Sequence, residues 1–184
     1  NLRSYPLDGV ALLANCDKSV PGALMGALST NLPTIMVTAG ARPAPFFKGK
    51  KVGTGTDLWR ALDDWRAGRM SDQEWREFEE CLSCGLGSCN TMGTASSVAL
   101  MTEMLGFMLP GSGTIPAGTE ERREAAKASG RRIVEMVKED FTPSKIATPA
   151  SFRNAIRLLH AVGGSTNAIV HLFACSGRIG GEIT

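Results

Sequence analysis

The order of apolar and polar positions divides this chain into short apolar runs and longer amphipathic stretches. Two runs, residues 9–14 and 34–38, have the length of buried strands. Residues 21–29 between them are predicted to form a helix, because Pro21 suits a first helical turn, where its missing N–H costs nothing. This strand–helix–strand order predicts two parallel strands joined by a right-handed crossover.

The rest of the chain is predicted to be mostly helical. Helix starts are marked by Thr56, the pair Ser71 and Glu74, Thr148, and Ser165, while Gly68 and Gly106 mark helix ends. The predicted helices cover residues 57–67, 71–81, 90–105, 120–139, 150–162 and 166–175, and the main loops cover residues 40–51, 85–88 and 110–118. No internal repeat interrupts this order, so the pattern predicts a helix-rich α/β fold.

Composition narrows the classes of function. The chain has 184 residues, 43% hydrophobic and 21% charged, which is enough for one domain with a buried core. A net charge of +2 gives no reason to expect binding to nucleic acid or an anionic membrane. No apolar run reaches the roughly 20 residues that span a bilayer, and no signal peptide opens the chain. The five cysteines are odd in number and unevenly spaced, so we expect free thiols in a reducing cytoplasm.

The most informative chemistry lies in Cys16-Asp17-Lys18, directly after the first predicted strand. These side chains are expected on a strand-to-helix turn at the carboxyl end of a strand, where open α/β sheets bind ligands. The thiol of Cys16 is a soft ligand suited to iron, and the carboxylate of Asp17 is a hard ligand suited to a divalent cation. Lys18 adds a modifiable amine. The three residues together predict a functional site.

Cys89 is the second informative thiol, because it lies in a glycine-rich turn that enters a helix. Helix N-termini favour negative charge and lower the pKa of a thiol, so Cys16 and Cys89 are both candidates for thiolate ligands. A small buried hydrophobic residue is an equal alternative for Cys89. The spacing Cys81-x2-Cys84-x4-Cys89 also suggests a local iron–sulfur motif, but Cys81 is expected to be a core residue at a helix end. Cys175 is expected to be a packing residue on an apolar helix face.

Two further glycine-rich segments precede predicted helices. Gly53-Thr54-Gly55-Thr56 could cradle a phosphate or carboxylate, although a plain turn with an N-cap is favoured. Gly163-Gly164-Ser165-Thr166-Asn167 has the same form, and binding and structural roles are equally open there. His160 and His171 lie on predicted helices and are expected to be core or surface residues rather than ligands.

Several motifs together resemble the dihydroxyacid dehydratase and 6-phosphogluconate dehydratase family. The first is Cys16-Asp17-Lys18-x-x-Pro21-Gly22-x-x-x-Gly26. Residues 53–59, 66–70, 87–95, 130–145 and 163–168 also resemble family segments, in the family order. The resemblance therefore covers nearly the whole chain, and it implies that the fold belongs to a three-layer α/β/α domain with a small, mainly parallel sheet.

The resemblance implies a metal-dependent site. In the family, three cysteines hold an iron–sulfur cluster with one open iron, and Cys16 and Cys89 match the second and third of them. A 2Fe–2S cluster is expected over a 4Fe–4S cluster. Asp17 matches a magnesium ligand, and Lys18 matches a catalytic lysine that binds magnesium when it is carbamylated. The implied reaction removes the C3 hydroxyl and the C2 proton of a polyhydroxy acid, and the resulting enol becomes a 2-keto acid.

The resemblance also implies that these residues form only part of the site. The chain opens without Met and stops straight after a predicted helix, so we interpret residues 1–184 as an internal piece of the family's amino-terminal domain. A cluster cysteine and a magnesium-binding Asp are then expected before Asn1. The serine base and another carboxylate are expected after Thr184, in a second domain. We also expect the intact enzyme to be a homo-oligomer, a dimer or a tetramer.

Substrate class is indicated by short segments. Residues 90–95, 24–27 and 55–59 resemble the sugar-acid (aldonate) dehydratases, whereas residues 47–50 depart from the His-Arg-Gly expected in those members. A sugar-acid dehydratase is the leading interpretation. The alternatives are a branched-chain dihydroxyacid dehydratase, a 6-phosphogluconate dehydratase, or a metal- or thiol-binding module that is not an enzyme.

Overall fold

A computed structural model describes residues 2–82 and 85–181. In chain order the elements are β1 (Val10–Ala14), α1 (Ser19–Thr30), β2 (Thr34–Thr38), β3 (Phe46–Phe47), β4 (Lys50–Lys51), α2 (Thr56–Arg66), α3 (Asp72–Leu82), α4 (Thr94–Leu105), α5 (Glu120–Lys138), α6 (Pro143–Ile146), α7 (Pro149–Ala161) and α8 (Thr166–Gly177). A 3₁₀ turn lies at Ser112–Thr114. Among the described residues no helix is long and apolar enough to cross a membrane.

The predicted parallel strand pair is confirmed. Strands β1 and β2 pair in parallel, with registers that run from Val10 opposite Thr34 to Ala14 opposite Thr38. Helix α1 connects them as the crossover, and both α1 and α5 pack against the two strands. Because the register ends with Ala14 beside Thr38, the segments that follow the two strands leave the sheet side by side. This edge is where the sequence predicts the functional site.

The main core lies between the strands and the helices α1, α4, α7 and α8. Helix α4 contacts all three of the other helices, and it is itself largely buried. Leu24, Met101 and Leu172 are each at most 1% exposed, and they bring α1, α4 and α8 into one hydrophobic cluster. The structure therefore confirms a helix-rich α/β fold with a small parallel sheet.

Most of the predicted helix signals are confirmed by hydrogen bonds. The Ser71 hydroxyl accepts from the Glu74 N–H at 3.2 Å, and the Glu74 carboxylate accepts from the Ser71 N–H at 2.9 Å, which is a capping box. Thr148 and Ser165 also accept from backbone N–H groups at the starts of α7 and α8. Gly106 ends α4 with φ 98°, a value that favours glycine.

Two predicted helix starts are wrong. Thr56 is not an N-cap, because Gly55 occupies that position and Thr56 is already helical. The helix predicted over residues 90–105 begins only at Thr94, after the extended residue Gly93. Residues 88–92 are held instead by strand-like and side-chain hydrogen bonds to other segments, and these tertiary contacts override the local helical tendency.

The region predicted as loop 40–51 contains a short antiparallel hairpin. Phe46 pairs with Lys51, and the turn residues Lys48 and Gly49 both have positive φ, 48° and 76°. Two successive positive φ values are typical of two-residue hairpin turns. The hairpin packs on α2 and α3, where Phe47 meets Phe78 edge-on at 5.2 Å between ring centroids. A second, smaller hydrophobic cluster thereby supports the segment that carries residues 53–56.

Candidate functional site

The Cys16–Lys18 turn lies between β1 and α1, as the sequence predicts. The Ser19 hydroxyl accepts hydrogen bonds from the N–H groups of Asn15 at 3.2 Å and Cys16 at 2.9 Å. The Cys16 carbonyl accepts from the Val20 N–H at 3.1 Å, which continues the turn into α1. The backbone is therefore fixed, and the Cys16 thiol is free and exposed at the carboxyl edge of the sheet.

Asp17 and Lys18 form an ion pair on this turn. The Lys18 Nζ donates to the Asp17 carboxylate at 2.7 Å, with 69% of the Lys18 side chain and 41% of the Asp17 side chain exposed. The hydrogen bond from Lys18 lowers the pKa of Asp17, and a hydrogen bond from Cys16 lowers it further. Asp17 is thus a carboxylate at neutral pH, the form that a divalent cation requires.

Helix α8 brings His171 to the same turn. The Nε2 atom of His171 is buried and has no hydrogen-bond partner in residues 2–82 and 85–181. Burial lowers the pKa of His171, and the nearby positive charge of Lys18 lowers it further, whereas Asp17 acts in the opposite sense. The sequence predicts only a core or surface role for His171. Its position near the turn depends on the packing of α8 against α1, which no sequence spacing indicates.

The segment before Cys89 is fixed beside the end of β2. Ser88 donates its N–H to the Gly40 carbonyl and accepts from the Arg42 N–H, both at 2.9 Å. Gly87 has φ 118°, and a Cβ at this position would approach the Arg42 nitrogen to 2.6 Å. Only glycine fits this close approach. The turn that bears the half-buried Cys89 therefore lies beside residues 40–42, the segment that follows β2.

The glycine-rich segments at residues 53–56 and 163–167 both meet the segment that follows Cys89. The hydroxyls of Thr54 and Thr91 lie 2.7 Å apart, and the hydroxyls of Thr94 and Ser165 lie 2.8 Å apart. Ser165 also donates its N–H to the Ser97 hydroxyl at 2.9 Å. Three turns that are remote in sequence are therefore joined around the start of α4.

A cavity of about 190 Å³ lies between the two cysteine-bearing turns. Its lining includes Asn15, which precedes Cys16, and Ser88, which precedes Cys89. Thr38 also lines it, and the Thr38 hydroxyl is buried without a hydrogen-bond partner in the described residues. A polar residue next to each cysteine thus lines the cavity, whereas Cys16 and Cys89 themselves do not line it. That the sulfurs of Cys16 and Cys89 bind one common metal centre remains a prediction.

The donor set fits part of a metal site. Within the described ranges no group of three His, Cys, Asp or Glu side chains is arranged to hold a metal ion. Two thiols and a carboxylate nevertheless lie on the turns that flank the cavity. Near them are buried polar atoms of Asn90 and His171 that have no hydrogen-bond partner among the residues that the structure describes. Soft sulfur ligands suit iron, and the Asp17 carboxylate suits magnesium. These residues would supply some, but not all, of the ligands of such a site.

The other cysteines have different surroundings. Cys81 lies near the end of α3, half-buried, and its Sγ is 3.3 Å from the Phe46 carbonyl oxygen of the hairpin. Cys175 is fully buried in the main core, which confirms its predicted packing role, and burial raises the pKa of its thiol to about 12. Cys84, the middle residue of the alternative Cys81-x2-Cys84-x4-Cys89 motif, lies outside the described residues.

We expect the thiols of Cys16 and Cys175 to react very differently with iodoacetamide. Iodoacetamide alkylates only a thiolate that the reagent can reach. The exposed Cys16 should therefore be modified in the native protein at neutral pH, whereas the buried Cys175 should stay protected. Mass spectrometry of the peptides after a timed reaction measures both. In urea the two should react at similar rates, and fast native modification of Cys175 would contradict the burial of α8.

Comparison with known proteins identifies the family. The family described as dihydroxy-acid/6-phosphogluconate dehydratase, N-terminal, matches residues 1–184. The chain is 48% identical over 183 residues to L-arabinonate dehydratase from Rhizobium leguminosarum bv. trifolii, covering 100% of this chain and 32% of that protein. It is 41% identical over 183 residues to 6-deoxy-6-sulfo-D-gluconate dehydratase from Pseudomonas putida, again covering 100% of this chain and 32% of that protein.

A dihydroxy-acid dehydratase from Acetivibrio thermocellus is 41% identical over 180 residues, covering 98% of this chain and 32% of that protein. The chain thus spans about a third of the length of these curated relatives. Members that are named for sugar acids and members named for dihydroxy acids both align over almost all of it. The chain belongs to the dihydroxy-acid/6-phosphogluconate dehydratase family, and it corresponds to sequence from the amino-terminal part of that family.

Proposed function

We propose that the intact protein is an iron–sulfur-dependent hydro-lyase that dehydrates a sugar acid to a 2-keto-3-deoxy acid. The observation that carries the proposal is the placement of Cys16, Asp17 and Lys18 on a turn that shares a cavity with the turn bearing Cys89. The 48% identity to the arabinonate dehydratase supports the sugar-acid class, while the sulfogluconate dehydratase and the dihydroxy-acid dehydratase are both 41% identical. The sequence motifs at residues 90–95 favour the same class.

Cys16 and Cys89 would hold an iron–sulfur cluster, in the 2Fe–2S form, together with a further cysteine. Asp17 would hold Mg²⁺. When bound, such metal centres polarise a hydroxyl leaving group and orient a carboxylate-bearing substrate. The turn supplies what this chemistry requires of the chain, because the backbone of Cys16 is fixed by Ser19 and the Asp17 carboxylate stays charged at neutral pH.

Lys18 needs a chemical change before it can serve as a magnesium ligand. An ammonium group has three donors and no acceptor, so it cannot bind a cation. In the structure the Lys18 ammonium instead holds the Asp17 carboxylate at 2.7 Å. Addition of CO₂ to the deprotonated Nζ, with loss of a proton, would form a carbamate; this would replace the positive charge with an anionic oxygen ligand and would release Asp17. The exposed Lys18 side chain is accessible for this modification.

The test is release of 2-keto acid by the intact protein, purified without oxygen. A panel of aldonates, 6-phosphogluconate and 2,3-dihydroxyisovalerate is assayed with Mg²⁺ present, and iron and sulfide are measured on the same sample. The proposal is supported if one or more aldonates are turned over with a higher kcat/KM than the other substrates of the panel. Preference for dihydroxyisovalerate or 6-phosphogluconate would reassign the substrate class. Bound iron without turnover of any substrate would indicate a metal-binding module.

A further inference from the structure

Asn90, the residue after Cys89, is held firmly on one side of its amide group. Its Oδ1 atom accepts from the backbone N–H of Thr54 at 3.4 Å and from the Thr54 hydroxyl at 3.2 Å. A backbone N–H can only donate, so the atom that faces it must be the amide oxygen. The orientation of the Asn90 amide is therefore determined by its contacts.

The Thr54 hydroxyl contacts two polar groups. It donates to the Asn90 Oδ1, and it lies 2.7 Å from the Thr91 hydroxyl, a contact in which either oxygen can be the donor. The turn that carries Thr54 is braced by the Gly53 N–H, which donates to the Asp57 carboxylate at 2.9 Å. Hydrogen bonds thus link Thr91, Thr54 and Asn90, and they hold the segment directly after Cys89 against the turn that carries Thr54.

The other side of the Asn90 amide lacks a partner within the described part of the chain. The Nδ2 atom is buried and has no hydrogen-bond partner in residues 2–82 and 85–181. A buried amide donor without an acceptor raises the free energy of the folded state. A bound group that accepts a hydrogen bond from Nδ2 would remove this cost. The network forces this donor to point away from Thr54, and the neighbouring residue in sequence is the predicted cluster ligand Cys89.

We propose that Asn90 is a positioning residue whose Nδ2 donates a hydrogen bond to a sulfur atom of the metal centre held by Cys89. This inference rests on the proposed function, since it requires a cluster at Cys89. Hydrogen bonds to cluster sulfurs raise the reduction potential and stabilise the anionic cluster. Outer partners of metal ligands also fix the ligands in place, and their loss weakens metal binding. The segment 53–56 is therefore part of the metal site through Thr54 and Asn90.

The decisive variant is Asn90→Asp in the intact protein. Aspartate keeps the acceptor that Thr54 requires, but it replaces the Nδ2 donor with a negative charge. The cluster should then show a lower reduction potential in a dye-mediated titration, and an iron chelator should remove iron about 10- to 100-fold more readily. Asn154→Asp is the matched control, because it adds the same charge at an exposed position of α7 and should change neither value.

Thr54→Val and Thr54→Ser test the same network without a new charge. Valine has the shape of threonine but lacks the hydroxyl, so the Asn90 amide should lose its hydrogen bond from the Thr54 hydroxyl. The reduction potential and the rate of iron removal should then shift in the same direction as in Asn90→Asp. Serine keeps the hydroxyl and should restore wild-type behaviour. If Asn90→Asp fails to fold, this pair decides the question, because equal chelation rates and potentials in the two variants would overturn the proposal.

Three other results are informative. If the Asn90→Asp variant had the reduction potential and the rate of iron release of the wild-type protein, the assignment of Nδ2 as a donor to the cluster would be overturned. An increased KM with unchanged potential would also overturn it, since the amide would then bind substrate instead of the cluster. Wild-type protein that binds no iron after anaerobic reconstitution would refute the proposed function itself, and it would do so before any variant is made.

Discussion

Replacing Asp17 with asparagine should abolish dehydratase activity in the intact protein and leave the iron–sulfur absorbance nearly unchanged. Asparagine has a similar shape but no charge, so it would bind Mg²⁺ far more weakly than the carboxylate. Loss of an outer partner of a metal ligand already costs 10- to 100-fold, so loss of a ligand should lower kcat/KM by at least about 100-fold. Keto-acid release and the visible absorbance spectrum measure the two effects.

The fold should tolerate Asp17→Asn, because the ion pair with Lys18 is largely exposed and exposed pairs contribute little to stability. Asp63→Asn is the matched control, since it removes a carboxylate from an exposed position of α2. It should retain wild-type activity. Loss of the cluster absorbance or of folding in Asp17→Asn would show that Asp17 has a structural role instead.

Replacing either Cys16 or Cys89 with serine should remove both the cluster and the activity. A serine hydroxyl is a poor ligand for iron compared with a thiolate, and a cluster with an incomplete ligand set is not retained. Each variant should therefore contain little iron and sulfide after anaerobic purification and should release no measurable keto acid. Because ligands act as a unit, the double variant should be no worse than either single variant.

The variants Cys81→Ser and Cys175→Ser are the controls for Cys16→Ser and Cys89→Ser, because they test whether the loss of any thiol has the same effect. Cys81 contacts a backbone carbonyl of the hairpin, and Cys175 packs in the main core. Both variants should keep the cluster, although Cys175→Ser places a hydroxyl in the core and should lower the melting temperature. Loss of iron in Cys81→Ser, with full iron content in Cys16→Ser, would move the cluster to the Cys81-x2-Cys84-x4-Cys89 motif.

The sequence was sufficient for features that depend on local chemistry. Short patterns predict the parallel strands β1 and β2, the capping box at Ser71 and Glu74, and the N-caps Thr148 and Ser165. The structure confirms them. The Cys16–Lys18 turn follows from an apolar run that ends shortly before Pro21, which lies in the first turn of α1. Local signals succeed there because the partners of each hydrogen bond lie within a few residues of one another.

Other features required the tertiary structure. Helix α4 starts at Thr94 and not at the predicted residue 90, because Ser88 pairs with the segment after β2 and Asn90 binds Thr54. These contacts join residues that are 36 to 48 positions apart in the sequence. The proximity of His171 to Lys18 depends on how α8 packs on α1. The sequence by itself predicted which side chains would carry the chemistry, namely Cys16, Asp17, Lys18 and Cys89. Only the packing of helices on the sheet decided which polar groups surround them, because those contacts join segments that no local pattern links.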